Sequence, residues 1–251
     1  DPSQMQLPAL FANAAVLDPR TEGDGAESSA WAKQLLQPGG VYVVAYAVVW
    51  TAPPIEGAGD WGHMYGSADN SSFGGESIAG AASTDDLEVQ WVGRPGPRYQ
   101  SDRQTRKPAP LAAGGRLYMQ GLWRIICCDQ YNGTILWSIE LPEMMRWNVT
   151  RDSANWCADS DYLYVAVLDE MLKIDGKTGE IVERFRAHGN RTAERTWDWG
   201  YVARAGQTEG NPGVLLGSSV KPSTSFSDWW GGANWYDQTD GASAAKVASD
   251  V

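Results

Sequence analysis

The chain has few of the residues from which many enzymes build their active sites. It contains two histidines and three cysteines. His63 and His188 do not form the kind of cluster that a nucleophile triad or a zinc centre requires. Cys127, Cys128 and Cys157 have the spacing of neither a haem attachment site nor a zinc site. Because Cys127 and Cys128 are neighbours in a predicted strand, where side chains alternate faces, we expect both to be thiols; a bridge from either to Cys157 is the alternative.

Basic residues and long apolar stretches are also scarce. Twenty Lys and Arg residues stand against 31 Asp and Glu residues, and the formal net charge is −11. Long-range repulsion therefore opposes an encounter with nucleic acid or an anionic membrane. No apolar run reaches the roughly 18 residues of a membrane-spanning helix, so none is predicted. We expect a small molecule or a protein as the partner.

The chain does contain an internal repeat at a fixed distance. Paired positions are separated by 46 residues (163−117, 175−129, 179−133, 181−135, 137−91): Leu117-Tyr118 and Leu163-Tyr164, Asp129 and Asp175, Gly133 and Gly179, Ile135 and Ile181, Trp91 and Trp137. A period of roughly 40 to 50 residues built from short strands indicates a β-propeller, in which each repeat is one four-stranded blade.

Each copy of the repeat has the chemistry of a tight turn between two strands. An Asp carboxylate accepts backbone N–H bonds within the turn, and a Gly four residues later adopts positive φ without strain. Apolar residues flank both turns with no helical period. The sequence therefore predicts a strand, a turn and a strand at Asp129–Gly133 and again at Asp175–Gly179.

These residues resemble the blade motif Ala-x-Asp-x-x-Thr-Gly-x-x-x-Trp of the PQQ-like (quinoprotein dehydrogenase-like) propellers, in which the Trp packs between blades. The matching positions are Asp129, Gly133 and Trp137 in one copy and Asp175, Thr178 and Gly179 in the next, with Trp91 as the preceding Trp. Glu183 stands where the second copy would have its Trp. The segment from Asp60 to Gly66 resembles the family's entry strand, and the whole is most similar to PQQ-like repeat proteins of planctomycete-type bacteria.

We therefore expect a mainly β fold with a partial or open propeller of about four four-stranded blades. The predicted blades cover residues 56–100, 101–146, 147–192 and 193–251 within a propeller of residues 51–251. Family members close with roughly six to eight blades, so the chain is interpreted as a fragment of a longer protein or as one that completes its ring with another copy.

Residues 1–50 are predicted to form a short α/β segment outside the repeat. Helical spacing at residues 30–36 is followed by Pro38-Gly39-Gly40 and then by an apolar strand at residues 41–46. This order resembles the end of a class I methyltransferase domain. An ordinary αβ unit packed on the first blade is the alternative.

One group of residues is a candidate ligand site, because guanidinium groups can hold carboxylates and flat rings can stack on a planar ligand. Its members lie in segments between blades or at blade entries: Arg98, Arg103, Arg106, Trp147, Asn148, Arg151, Trp197, Trp199 and Lys221. The alternative is that the Trp residues pack blades together and that the Arg residues pair with local carboxylates.

The most favoured function is a noncatalytic propeller that serves as a ligand-binding or assembly module, with no cofactor. The resemblance implies an alternative, a quinoprotein alcohol dehydrogenase with PQQ and Ca²⁺, although no ligand set for the metal can be assigned. A carbohydrate-binding propeller that uses exposed Trp faces is the third hypothesis. The partner is expected to be a small molecule, a protein, or the remaining blades, and the location periplasmic or otherwise extracytoplasmic.

Overall fold

A computed structural model describes residues 9–18, 25–77, 80–93, 109–121, 123–144, 155–187, 197–208, 210–220 and 249–250. In this part of the chain the structure has one α-helix, one short 3-10 helix and four sheets. Strands dominate, as the sequence predicts.

The first sheet lies in the N-terminal segment. It is formed by β1 (Ala12–Leu17), β2 (Leu36–Val44) and β3 (Ala47–Thr51), in that order. The helix α1 (Gly25–Leu35) connects β1 to β2, which are parallel, and β3 returns antiparallel to β2. The predicted strand at residues 41–46 ends two residues early, at Val44, because Ala45 and Tyr46 adopt positive φ and form the tight turn into β3. It also begins earlier than expected, at Leu36, so Pro38-Gly39-Gly40 lies within β2 instead of before it.

The second and third sheets have four strands each. β4 (Leu111–Ala113), β5 (Arg116–Gln120), β6 (Arg124–Asp129) and β7 (Ile135–Glu140) follow one another across the second sheet. β8 (Trp156–Ala158), β9 (Tyr162–Val167), β10 (Glu170–Asp175) and β11 (Ile181–Arg186) do the same in the third. Each sheet is a meander whose first strand lies at one edge, which is the build of a propeller blade.

The fourth sheet has three strands: β12 (Asp198–Ala205), β13 (Val214–Val220) and β14 (Ser249–Asp250). The three blade-like sheets fall within the predicted ranges 101–146, 147–192 and 193–251. In the described part of the predicted first blade, the backbone forms isolated bridges and the 3-10 helix Thr84–Asp86 instead of strands. The prediction of a mainly β, partial propeller is confirmed.

The chain divides into two compact units that are interleaved in sequence. The first comprises Asp1–Gly59, Gly75–Arg94 and Asp129–Thr134, and the second comprises Asp60–Gly74, Pro95–Cys128 and Ile135–Val251. The second unit therefore contains the loop Asp60–Gly74 and nearly all of the three blade-like sheets.

The two predicted turns form the same hydrogen bonds. The N–H of Gly133 donates to the Asp129 carbonyl at 2.9 Å, and the N–H of Gly179 donates to the Asp175 carbonyl at 2.9 Å. In each turn the Asp Oδ1 also accepts the N–H bonds of the residues two and three positions later. These bonds lower the pKa of the exposed Asp175 carboxyl, with the Thr178 N–H as the largest cause.

Asp129 has a second role within the first unit. Its Oδ2 accepts hydrogen bonds from the side-chain amides of Gln37, at 2.8 Å, and Asn13, at 3.1 Å. The carboxylate is buried, and four N–H donors satisfy it. The turn of the first copy is therefore also an anchor for the N-terminal sheet, whereas Asp175 serves only its own turn.

The Trp residues of the motif dock on the turn of the following copy. The Trp137 indole N–H donates to the Gly176 carbonyl at 2.8 Å, and the ring covers Gly179. Within the first unit, the Trp91 N–H donates in the same way to the Gln130 carbonyl at 2.9 Å, and its ring covers Gly133. In both cases the acceptor lies 39 residues after the Trp.

Two apolar cores fill the spaces between sheets in the second unit. The core between the second and third sheets includes Tyr118, Ile125, Trp156, Leu163 and Ile174, each essentially inaccessible to solvent. A smaller core joins the third and fourth sheets and contains Tyr164, Met171 and Val202. Burial of this apolar area is the main stabilising contribution, at about 25 cal/mol per Å².

We predict that Gly179→Ala destabilises the protein more than Gly206→Ala. Both glycines have positive φ, which costs an L residue about 1–2 kcal/mol. A Cβ at Gly179 would also stand 2.8 Å from the Trp137 ring, whereas one at Gly206 would meet nothing within 4 Å. We expect a further loss of about 1–3 kcal/mol for Gly179→Ala alone, measured by urea unfolding. Equal losses for the two variants would show that the indole does not depend on Gly179.

Candidate functional site

A closed loop in the second unit brings the three blade-like sheets together. The loop runs from Asp60 to Gly74, and the Asp60 N–H donates to the Gly74 carbonyl at 3.1 Å, so its ends meet. Compact loops of this kind, with adjoining ends, often carry function. Residues 61–63 of this loop, which we call the strap, contact the first strand of each of the three sheets.

The strap pairs through its backbone with the first two of these strands. Trp61 and Ala112 of β4 exchange two backbone hydrogen bonds, at 2.6 and 2.9 Å. The Gly62 carbonyl then accepts the N–H of Ala158 in β8 at 2.7 Å. A side chain at position 62 is excluded, because its Cβ would lie 2.4 Å from the Ala158 carbonyl oxygen.

The third contact uses a side chain. His63 Nε2 accepts the backbone N–H of Arg204 in β12 at 2.9 Å. The three partner positions 112, 158 and 204 are separated by 46 residues each (158−112 and 204−158). Equivalent points on three successive sheets therefore converge on one tripeptide, which is the radial arrangement of a propeller.

Charged and polar groups gather at the third contact. Arg204 Nε lies 3.3 Å from Asp159 Oδ2, and both side chains are mostly buried. The Tyr164 hydroxyl donates to the same Oδ2 at 3.2 Å, while Asp159 Oδ1 accepts two backbone N–H bonds. Arg204 also donates to the Pro212 carbonyl, and its guanidinium lies 5.5 Å from the Tyr164 ring centre. Each member of the group is therefore bonded to another part of the protein.

Burial shifts the pKa values of His63, Cys157 and Tyr164 at this contact toward their neutral forms. Burial raises the pKa of the Tyr164 hydroxyl and of the Cys157 thiol, and the nearby Asp159 carboxylate adds to both shifts. Burial lowers the pKa of His63, and the charge of Asp69 acts in the opposite direction. Because His63 Nε2 is an acceptor, its proton is on Nδ1. The site thus offers neither a thiolate nor an imidazolium.

A second polar pair lies between the second and third sheets. The buried Arg116 donates through Nε to the Tyr118 hydroxyl at 3.0 Å and through Nη2 to the Ser160 carbonyl. Burial raises the pKa of Tyr118 to about 12. Tyr118 and Tyr164 are equivalent in the repeat, but their hydroxyl partners differ: the Tyr118 hydroxyl accepts from Arg116, whereas the Tyr164 hydroxyl donates to Asp159.

Of the predicted ligand-site residues, the structure describes two. Trp199 lies in β12, where its indole N–H donates to the Phe185 carbonyl at 3.0 Å and its ring covers Gly217. Trp197 is half-buried, immediately before β12. The other members lie outside the described residues: Arg98, Arg103, Arg106, Trp147, Asn148, Arg151 and Lys221. The ligand-binding role of the group stays a prediction, and Trp199 contributes packing between sheets.

Sequence reasoning did not identify Asp159, Arg204 and Arg116 as a functional group of residues. The repeated Leu-Tyr pair at residues 117–118 and 163–164 was an available signal, because a repeated buried Tyr needs a hydrogen-bond partner. Nothing in the local sequence marks which Arg supplies it.

The cysteines are buried thiols. Cys127 and Cys128 occupy alternating positions in β6, and Cys127 Sγ lies 4.0 Å from the Gly176 carbonyl oxygen. Cys157 is a buried thiol in β8. The expected thiol pair in β6 is therefore found.

The described residues do not fit a quinone and Ca²⁺ site of the kind implied by the resemblance. Among them, no three His, Cys, Asp or Glu side chains lie close enough together to hold a metal ion. The strap also occupies the edges of the first strands, where the sheets converge. Within the same described part of the chain, no helix is long and apolar enough to span a membrane.

Several solved structures are similar to this chain. A quinohemoprotein alcohol dehydrogenase from Pseudomonas putida matches with 18% identity and a TM-score of 0.39, over 65% of this chain and 22% of that one. The corresponding enzyme from Comamonas testosteroni matches with 18% identity and a TM-score of 0.39, over 58% and 22%. BamB from Moraxella catarrhalis matches with 15% identity and a TM-score of 0.28, over 47% and 38%.

The chain therefore spans well under half of each of these proteins. No family model and no curated protein matches the sequence. Within this chain, the sheets and their convergence on the strap establish a partial propeller.

We predict that His63→Gln reduces the loss of stability in acid. Because burial lowers the pKa of His63 below 6.5 in the folded protein, the unfolded chain binds the proton more readily. The stability that this group contributes is present above about pH 6.5 and is lost as the pH falls through the folded-state pKa. Gln keeps an acceptor for the Arg204 N–H but does not titrate.

The measurement is the free energy of unfolding in urea between about pH 8 and about pH 5. The wild-type value should fall more steeply than that of His63→Gln, and the difference should grow towards acid. His188 is present in both proteins, so its titration cancels. Parallel pH profiles would contradict the role assigned to His63.

Proposed function

We propose that this chain is a noncatalytic propeller module that binds a ligand or a partner and belongs to a larger protein. The observation that carries the proposal is that the polar groups at the point where the three sheets converge are already hydrogen-bonded within the protein. The strap takes up hydrogen-bonding groups of β4, β8 and β12, and Arg204, Asp159, Tyr164 and His63 are bonded to one another or to the backbone.

An enzyme needs acid, base or nucleophilic groups aimed at a position that a substrate can occupy. Here the carboxylate of Asp159 already accepts four hydrogen bonds, and the Cys157 thiol is held neutral. The groups that gather at the third contact therefore serve stability. The quinoprotein alternative has no described residue that favours it.

We also propose that the larger protein is a bacterial, extracytoplasmic PQQ-like repeat protein of planctomycete type. The N-terminal segment supports a preceding α/β domain, because β1, α1 and β2 form a parallel βαβ unit, which in proteins is normally part of a wider sheet. The methyltransferase assignment of that domain rests on the resemblance of residues 30–46.

The exposed face of the fourth sheet supports a partner that is itself a propeller blade. Leu215 packs against the third sheet, so Val214 and Leu216 point to the opposite face, where they are 57% and 50% exposed. The corresponding faces of the second and third sheets are covered by the next sheet. We propose that a further blade covers this face, from a second copy or from additional repeats.

We predict that the chain does not oxidise alcohols. The purified protein would be incubated with PQQ, Ca²⁺, primary alcohols and a redox dye, with a quinoprotein dehydrogenase as the positive control. We expect dye reduction equal to that of the reagents alone and no saturable binding of the quinone. Dye reduction that saturates with added quinone would overturn the noncatalytic assignment.

We predict that the chain self-associates through the open face of the fourth sheet. Light scattering should give a mass that rises with concentration above the 27.3 kDa of one chain. Leu216→Lys places a charge on that face and should hold the protein at the monomer mass. The matched control is Val182→Lys on β11, which is also 51% exposed but lies on another sheet. A wild-type protein that stays monomeric at all concentrations would contradict self-association.

A further inference from the structure

The space between the second and third sheets contains two buried N–H groups that lack an acceptor. They are Gln120 Nε2 and Trp156 Nε1, and in the described part of the chain no other buried side-chain nitrogen or oxygen lacks a partner. Both side chains are at least nine-tenths buried. A buried donor without an acceptor is costly, and native proteins rarely leave one unsatisfied.

The two groups lie in the same interface between sheets and at neighbouring positions along the strands that form it. Gln120 follows Arg116 and Tyr118 along the buried face of β5, which packs against the third sheet. Trp156 packs in that same core from β8. Trp156 in β8 pairs with Val165 in β9. The position equivalent to Val165 in the second sheet is residue 119 (165−46), which directly precedes Gln120. The equivalence is supported by the matching pairs Leu111–Tyr118 and Cys157–Tyr164.

Asn155, the residue before Trp156, fixes the orientation of the Gln120 amide. Asn155 Nδ2 donates to the Met144 carbonyl at 3.2 Å and approaches Gln120 Oε1 at 3.4 Å. If the Gln120 amide were flipped, two NH₂ groups would face each other. Gln120 Nε2 is therefore directed away from Asn155.

We propose that Gln120 Nε2 and Trp156 Nε1 together bind one oxygen atom of a small, neutral, enclosed molecule. Two uncharged donors suit a carbonyl, hydroxyl or water oxygen, and the acidic chain as a whole disfavours an anion. The near-complete burial of both nitrogen atoms requires that the molecule be enclosed between the sheets. The site does not depend on the function proposed above, because it uses neither the strap nor the open face.

The test is cross-relaxation between the Trp156 indole proton and non-protein protons in the ¹⁵N-Trp-labelled full chain. Trp156→Phe assigns the signal by its loss. The matched control is the Trp137 indole proton, which is bonded to the Gly176 carbonyl and should show no such cross-peak. Native mass spectrometry of the same sample distinguishes the sources, because an organic molecule adds mass that survives desalting and a single trapped water does not.

A cross-peak from the Trp156 proton to a slowly exchanging water, or to protons of a retained organic molecule, supports the site and identifies its occupant. In Gln120→Met, which keeps the length of the side chain but removes both amide groups, this cross-peak should be lost. A wild-type Trp156 proton without a cross-peak overturns the proposal, and so does a cross-peak that is unchanged in Gln120→Met. If Gln120→Met does not fold, the wild-type spectrum alone decides.

Discussion

The three blade-like sheets depend on a close backbone approach at Gly62. The Gly62 carbonyl accepts the Ala158 N–H, and no Cβ fits at position 62. With this contact made, Trp61 and His63 reach the first strands on either side, so three sheet edges must lie within the span of three residues. The convergence fixes the angle between successive sheets, and the interfaces between them follow from it.

At greater distance from the strap, indole rings on glycines set the spacing between the sheets. Trp137 spans from β7 to the turn at Gly176–Gly179, so the hairpin turn of one sheet is the docking site of the sheet before it. At the next interface Glu183 replaces the Trp of the motif. Trp199 contributes instead from the opposite side, through its bond to the Phe185 carbonyl and its contact with the smaller core. The interface between the third and fourth sheets therefore uses a different contact from the one between the second and third sheets.

Local chemistry in the sequence predicted the parts of the fold that are local. The two Asp/Gly turns and their flanking strands follow from interactions between residues at most a few positions apart, and the propeller class follows from the repetition of this unit after 46 residues. The strap could not be predicted in this way, because its partners are 51, 96 and 141 residues away (112−61, 158−62 and 204−63). The same holds for Arg204 and Asp159, which are 45 residues apart and have no shared motif. The prediction for residues 41–46 extended the strand too far for a local reason. Apolar composition alone does not show that Ala45 and Tyr46 turn with positive φ.

Buried polar groups in this fold can either stabilise the protein or bind a ligand, and their hydrogen-bond partners distinguish the two roles. Arg204, Asp159, Tyr164 and His63 satisfy one another, so the energy of their desolvation is recovered within the protein and none is spent on a ligand. Gln120 and Trp156 are buried more deeply than Asp159 and Arg204, yet Gln120 Nε2 and Trp156 Nε1 have no acceptor in the chain. A fold under selection for stability alone would replace such donors with apolar side chains, because that substitution removes the cost without loss of packing. A bound acceptor would remove this cost, and the site proposed for it lies between sheets, away from the strap.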